Sequence, residues 1–213
     1  MILHDYWRSG TSYRTRIALN LKGVRYARRT HDLRRGAQTA DGYRTLNPQG
    51  LVPALEIGGD VVLTQSAAIL EWLEEAHPEP PLLPTRSTDR ALVRGMAALI
   101  ACDIHPLNNL RVLQALRREL GADQAQVDAW ITRWISDGFA ALEVLVKRYG
   151  GTFTYGDRPT LADCHLVPQL YAADRFGVEL APFPRLVAAG DQMLALPAVA
   201  AAHPDRQPDA NSA

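Results

Sequence analysis

The chain has 213 residues, 47% hydrophobic and 22% charged, with 23 basic side chains matched by 23 acidic ones. That balance excludes a disordered or collagen-like polymer, and the length suffices for one large domain or two smaller ones, each with its own core. Zero net charge conceals an asymmetry: residues 1–50 hold ten basic residues against three acidic, a surplus of seven that the acidic remainder cancels.

Residues 1–6 read as a strand, followed by the polar turn Trp7-Arg8-Ser9-Gly10-Thr11-Ser12 and a helix over 13–22 that Gly23 stops. A second strand is expected over 24–32 and a short helix over 40–46. Residues 55–57 and 61–63 flank Gly58-Gly59-Asp60, a hairpin signal. Ser66 is placed to cap a helix running to about Ala76, where His77-Pro78 ends it. The order β-α-β-α-β-β-α describes a small α/β unit. Four prolines between Pro78 and Pro84 forbid helix and suit a stiff connector. Beyond it, helices are expected over 88–120, 125–148, 161–175 and 184–196, broken at Gly121, Gly150-Gly151 and Gly177, with an irregular tail from His203. Thr160-Leu161-Ala162-Asp163 is a helix-start signal of the capping-box kind. The expected organisation is an α/β domain over 1–80 and an all-helical bundle over 86–213.

Cys102 and Cys164 form no C-x-x-C pair and no metal-ligand spacing, and their apolar, helical contexts read as buried thiols. No metal site is expected. The N-terminus lacks a basic segment leading into an apolar run, and no uninterrupted apolar stretch reaches membrane-spanning length, so the expectation is a cytoplasmic protein that does not engage a membrane. Of the 23 basic residues, 21 are arginine. Solvated surface charge accounts for such an excess; a few guanidinium forks gripping planar anions would account for part of it more specifically.

The first site candidate is the turn Arg8-Ser9-Gly10-Thr11-Ser12. Unpaired backbone N–H groups and the positive end of a helix dipole meet there, so an anion or a thiolate is stabilised. A hydroxyl of Ser9 or Thr11 adds a hydrogen bond that helps hold a thiol deprotonated. The same residues also serve as plain helix caps. Leu51-Val52-Pro53-Ala54-Leu55 and Thr64-Gln65-Ser66 lend support. A cis Val52-Pro53 bond would turn the Val52 N–H and C=O outward toward a peptide-like ligand, whereas a trans proline would be an ordinary strand entry. Ser66 offers a second helix N-terminus to a carboxylate. Together, two helix N-termini and a Val-Pro edge make a site for an extended anionic peptide.

In that order these features resemble the thioredoxin-like glutathione-binding domain of the glutathione transferases. Trp7-Arg8-Ser9-Gly10-Thr11-Ser12-Tyr13-Arg14-Thr15-Arg16, Leu46-Asn47-Pro48-Gln49-Gly50-Leu51-Val52-Pro53, and Gln65-Ser66 with the residues through Glu75 are similar to zeta-class motifs. The likeness continues through Asp103-Ile104-His105-Pro106-Leu107-Asn108-Asn109, Thr160-Leu161-Ala162-Asp163 and Arg175-Phe176-Gly177-Val178-Glu179-Leu180. The resemblance implies a glutathione transferase fold, with a thioredoxin-like α/β domain followed by an all-α helical bundle. It also implies a homodimer and glutathione as cofactor. The better-known zeta motif is Ser-Ser-Cys where this chain has Ser9-Gly10-Thr11, a form that looks more like the maleylpyruvate isomerase branch than the maleylacetoacetate one.

The activity implied is the cis-to-trans conversion of a maleyl diketo-acid. Ser9 and Thr11 would hold the thiolate beside Arg8. Glutathione would be bound by Ser9, Gly10, Thr11, Gln38, Val52, Pro53, Gln65 and Ser66, with Asp103, His105 and Asn109 as further contacts. Arg8, Arg111 and Arg175 match the family's substrate-binding arginines, and a dicarboxylic substrate suits them. His105 has an alternative reading as a helix histidine beside a kinking Pro106. Two other functions compete: a transferase that conjugates or dehalogenates small 2-haloacids, and a dimeric binding module without activity. Nucleic acid is not expected as a partner, because the basic front segment lacks interleaved aromatics and a groove-reading helix.

Overall fold

A computed structural model describes residues 1–210. They form two compact units, Met1–Pro81 together with the chain from Ala195 onward, and Leu82–Leu194.

The first unit runs β1 (Ile2–Asp5), α1 (Gly10–Leu21), β2 (Ala27–Thr30), α2 (Asp41–Arg44), β3 (Ala54–Gly58), β4 (Val61–Thr64) and α3 (Ser66–Ala76). The sheet order is β2-β1-β3-β4, with β1 parallel to β2, pairing Leu3 with Arg28, and β3 antiparallel to both β1 and β4. The parallel pair needs a crossover, and α1 supplies it. The order expected from sequence is thus observed. Strand β2 is shorter than expected, and α1 begins at Gly10, three residues before the expected Tyr13, because Ser9 caps it.

Alternation along β1 sends Leu3 and Asp5 to one face of the sheet and His4 and Tyr6 to the other. All four are buried, so both faces of this strand are covered. Leu3, Ile17, Leu19, Leu55, Ile69, Leu70 and Leu73 are fully buried and build the core. On the opposite face, Tyr6, Tyr43, Val52 and Ala54 make a second cluster, joined by Trp7, Leu33 and Leu46. Here His4 Nδ1 lies 2.9 Å from His31 Nε2, and His4 Nε2 lies against Glu56 Oε1. With Nε2–H of His4 donating to the carboxylate, a neutral His4 accepts from His31 at Nδ1.

The second unit contains α4 (Ser87–Ala98), α5 (Leu110–Arg118), α6 (Gln124–Tyr149), α7 (Leu161–Arg175) and α8 (Pro184–Leu194). The single helix expected over 88–120 is divided: a π turn spans Leu99–Ile104 and a 3₁₀ turn His105–Asn108 before α5 begins. Pro106 lacks an N–H and cannot continue an α-helical ladder, and Asn109 then restarts the helix as a cap. Helix α6 buries Val127, Ile131, Ile135, Phe139, Leu142 and Val146, a stripe at helical spacing, and a capping box of Asp123 and Gln126 starts it. Gly138 in α6 lets Ile104 approach; a Cβ there would fall 2.3 Å from Ile104 Cγ1. Glu143 of α6 accepts from the Arg185 and Leu186 N–H groups and so caps α8 from a neighbouring helix. Cys164 is buried as expected, but Cys102 is exposed: it lies two residues from both Ile100 and Ile104, on the side of the chain facing away from the buried stripe.

The last helix, α9 (Pro197–Ala202), belongs to the first unit, where it packs on α1. Asn20 Nδ2 donates to the Ala198 carbonyl and Arg16 Nε to that of Ala202. The division expected from sequence put every residue after 86 in the helical domain; the chain from Ala195 onward departs from it. Composition could not show this, because α9 is held by polar side chains of α1. No helix among the described residues is long and apolar enough to cross a membrane.

The capping box at α7 forms as expected and is entirely buried. Asp163 accepts from the Thr160 N–H and hydroxyl, both at 2.8 Å, and from the Thr154 N–H at 2.9 Å. Burial pushes the carboxyl up and these hydrogen bonds pull it down. Replacing Asp163 by Ala strands two buried N–H groups. We expect Asp163→Ala to cost about 3 kcal/mol, read from urea denaturation. His31 is held below the ordinary histidine value, first by burial and then by His4. The folded protein therefore takes up this proton less readily than the unfolded chain, and acidification through about pH 6.5 favours unfolding. The urea midpoint should fall as pH drops from about 7 to about 5, and fall less in His31→Gln.

Candidate functional site

The turn between β1 and α1 is closed by the Ser9 N–H donating to the Tyr6 carbonyl at 3.0 Å, and the Ser12 hydroxyl accepts from the Tyr6 N–H. Ser9 does cap α1, accepting from the Ser12 N–H at 3.3 Å. Its Oγ also lies 2.9 Å from Thr11 Oγ1, which donates to the Val52 carbonyl at 2.9 Å. Each hydroxyl has one proton. That of Thr11 is committed to Val52, so the proton of Ser9 is the one that can turn toward an anion at the helix N-terminus. Capping and anion binding are compatible here, because the cap uses a lone pair of Ser9; its proton, which closes the 2.9 Å contact to Thr11 Oγ1, is the one an anion would draw away.

The Val52-Pro53 peptide bond is cis. The loop before it is anchored at Leu51, whose carbonyl accepts from the Tyr43 hydroxyl and Asn47 Nδ2, both at 2.7 Å. The expectation that the Val52 carbonyl faces outward needs correction: it receives Thr11 and so ties this edge to the α1 turn. Gly50 has φ +62°, and a Cβ there would stand 3.0 Å from the Gln38 carbonyl oxygen. Gln38, in a 3₁₀ turn (Ala37–Thr39), has a buried Oε1 without a hydrogen-bond partner among the described residues. A buried acceptor of that kind asks for a donor.

Gln65 stands just before α3 at φ 65°, ψ 110°, alone among the described non-glycine residues in having positive φ. Backbone in that region persists where the surroundings impose it, and it clusters at ligand sites. Its Nε2 donates to Gln49 Oε1 at 2.6 Å. Ser66 is not the cap but the first residue of α3, and its hydroxyl accepts from Arg14 Nη1 at 3.3 Å. Arg8 is half-buried, its guanidinium carbon 5.3 Å from the centre of the Trp7 ring. Hydrogen bonds thus tie Ser9 and Thr11 to Val52 and join Gln65 to Gln49, while the Gln38 turn lies against Gly50.

The remaining residues lie in the second unit. Asp103 is exposed in the π turn, and His105 opens the 3₁₀ turn, half-buried. Asn109 caps α5, accepting from the Arg111 N–H, while the Arg111 side chain is exposed. Arg175 ends α7 with its guanidinium 4.3 Å above the Phe176 ring. Among the described residues no cluster of His, Cys, Asp and Glu is placed to hold a metal ion.

Sequence reasoning missed Gln49 and Arg14, whose roles depend on contacts with distant residues. It also missed the buried ionic group next to Trp7. Arg16 of α1 donates to Asp5 Oδ2 at 3.0 Å and to the Trp7 carbonyl at 2.9 Å. Arg28 of β2 donates to both Asp5 oxygens and to Asp209, and Asp209 accepts from the Trp7 N–H at 2.9 Å. Burial holds the Arg16 guanidinium below its ordinary value, and the Asp5 charge and hydrogen bond work against that. Arginine runs in the sequence hint at such a cluster but do not indicate which of them are buried.

Residues 8–76 match the family model described as glutathione S-transferase, N-terminal domain, and residues 128–201 the one for the C-terminal domain. The chain is 50% identical to a maleylacetoacetate isomerase of Pseudomonas aeruginosa, over the whole of both proteins. A solved holo structure of maleyl pyruvate isomerase, described as a bacterial zeta-class glutathione S-transferase, superposes with a TM-score of 0.96 at 50% identity, covering 98% of this chain and 99% of that one. The maleylacetoacetate isomerase of Methylobacterium extorquens AM1, solved with bound malonate and GSH, gives a TM-score of 0.95 at 38% identity, covering 99% of both chains.

Gly50 offers a test of the site's framework, since its backbone conformation and its clearance from Gln38 both disfavour a side chain. Gly50→Ala should destabilise the protein by about 1–2 kcal/mol, measured by thermal or urea unfolding.

Proposed function

Because the chain belongs to the glutathione S-transferase family, we propose that it is a glutathione-dependent cis–trans isomerase of a maleyl diketo-acid. It converts maleylacetoacetate or maleylpyruvate to the fumaryl form, within the breakdown of aromatic amino acids or other aromatic compounds. The observation that carries this reading is the Ser9–Thr11–Val52 hydrogen-bonded chain at the N-terminus of α1, in a protein that aligns end to end with such isomerases. The same resemblance supports a cytoplasmic homodimer.

The residues present fit glutathione. Gln38 Oε1 is a buried acceptor awaiting an N–H donor, the N-terminus of α3 behind Gln65 suits a carboxylate, and the Val52 N–H is available to an extended peptide. Glutathione, when bound, supplies a thiolate that adds to the conjugated cis double bond and later departs, and the single bond present in between permits rotation.

Ser9 turns its hydroxyl proton to the sulfur and, with the α1 N-terminus, holds it as the anion. Thr11 keeps its own proton on Val52 and so maintains the spacing between the turn and the cis-proline edge. Asp103, His105 and Asn109 add contacts to the tripeptide in this reading. Arg8, Arg111 and Arg175 bind the substrate carboxylates and stabilise negative charge that develops on the diketo-acid oxygens.

Purified protein should convert maleylpyruvate or maleylacetoacetate only when glutathione is present. Ser9→Ala should lower kcat/KM more than Thr11→Val does. Arg8→Ala and Arg175→Ala should each lower it by over about tenfold, about 1.4 kcal/mol. Turnover of a 2-haloacid with no cis–trans activity on either diketo-acid would replace this reading with that of a dehalogenating transferase.

A further inference from the structure

The residues that place the thiol-activating turn are not confined to the turn. Trp7 is the residue through which β1 enters it, and both polar groups of its backbone are held by charged side chains. Its carbonyl accepts from Arg16 Nη2 at 2.9 Å, and its N–H donates to Asp209 Oδ2 at 2.9 Å. Asp209 is only two residues beyond Gln207, whose Nε2 donates to the carbonyls of Ala201 and His203 and so secures the tail to α9. The other oxygen of Asp209 accepts from Arg28 Nη2 at 3.0 Å.

Four charges therefore meet beside the turn: Asp5 and Arg16 with no exposed side-chain surface, and Arg28 and Asp209 at 16% each. Asp5 is shared by both arginines, so the group retains two of its three ion pairs when Asp209 is removed. What is lost without Asp209 is the acceptor for the Trp7 N–H. Ser9 lies two residues further on and donates its own N–H to the Tyr6 carbonyl, so a shift of the Trp7 peptide carries Ser9 with it.

We propose that Asp209 is a positioning residue for the reaction: from the C-terminal segment it orients the Trp7 peptide and thereby aims the Ser9 hydroxyl at the thiolate. The proposal rests on the assignment of Ser9 made above. It places a determinant of thiol activation some 200 residues away in sequence, in a segment that would otherwise count as an irregular tail.

The test titrates the thiol of glutathione bound to the full-length protein, following thiolate absorbance in the ultraviolet against pH, alongside kcat, KM and a thermal melt. In Asp209→Ala the thiol should ionise at higher pH than in wild type, with kcat reduced about tenfold and KM changed less than about twofold. Asp209→Asn, which keeps an oxygen acceptor for Trp7, should restore most of kcat. A thiol titration coincident with wild type overturns the proposal, even where the melting temperature falls, since lost stability alone does not move that titration. If Asp209→Ala does not fold, Asp209→Glu replaces it, keeping the charge and displacing the oxygens by one methylene; a wild-type titration there is equally fatal. Ser9→Ala separates the two levels. Should it also leave the titration unchanged, the assignment of Ser9 fails; should Ser9→Ala shift it and Asp209→Ala not, the positioning role alone fails.

Discussion

Asp5 lies at the end of β1 with no solvent exposure, between a guanidinium from α1 and another from β2. A lone carboxylate in that position would not be tolerated ionised; its burial is offset because Arg16 and Arg28 together give it three hydrogen bonds. Removing one partner from such a group characteristically costs about 3–5 kcal/mol, because the charge left behind is still buried. The geometry has consequences beyond stability. Arg16 also takes the Ala202 and Trp7 carbonyls, so one side chain fastens α1 to α9 and to the start of the active turn. The parallel pairing of β1 and β2, the docking of the tail and the path of the chain into Ser9 all depend on this cluster.

The same cluster changes the meaning of the charge count. A surplus of seven in the first fifty residues suggests a cationic surface, yet Arg14 and Arg16 are buried and Arg28 is mostly so. Lys22, one of only two lysines, is also inside, bound to Glu74 and to the carbonyls of His77 and Pro80 where the linker begins. A substantial part of the positive charge is therefore structural. Arg8, Arg111 and Arg175 remain solvent-accessible to differing degrees, which is compatible with the role proposed for them in binding a dicarboxylate.

At the turn proposed to bind the thiolate, one set of atoms can serve two tasks. Helix α1 needs acceptors for its first N–H groups, and Ser9 provides one with a lone pair. A thiolate needs donors, and the Ser9 proton and the unpaired helix N–H groups are donors. The hydrogen bond from Thr11 to Val52 joins this helix terminus to the cis-proline edge, so the two halves of the proposed glutathione site keep their spacing without a ligand to define it.

Local chemistry made much of this legible in the sequence. The hairpin at Gly58-Gly59, the end of α3 at Ala76, the capping box at Thr160 and the α-β order of the first unit follow from signals spanning only a few residues. The Ser9–Thr11 turn and the Val52-Pro53 edge were recognisable for the same reason. What tertiary structure alone decided is longer in range: Ser66 as a hydrogen-bond acceptor for Arg14, the pairing of Gln65 with Gln49, and the return of α9 to α1. Sequence patterns report hydrophobic period and backbone preference, and both are local. Which arginine is buried, and which aspartate answers it from the far end of the chain, is determined only when folding removes the alternative of water.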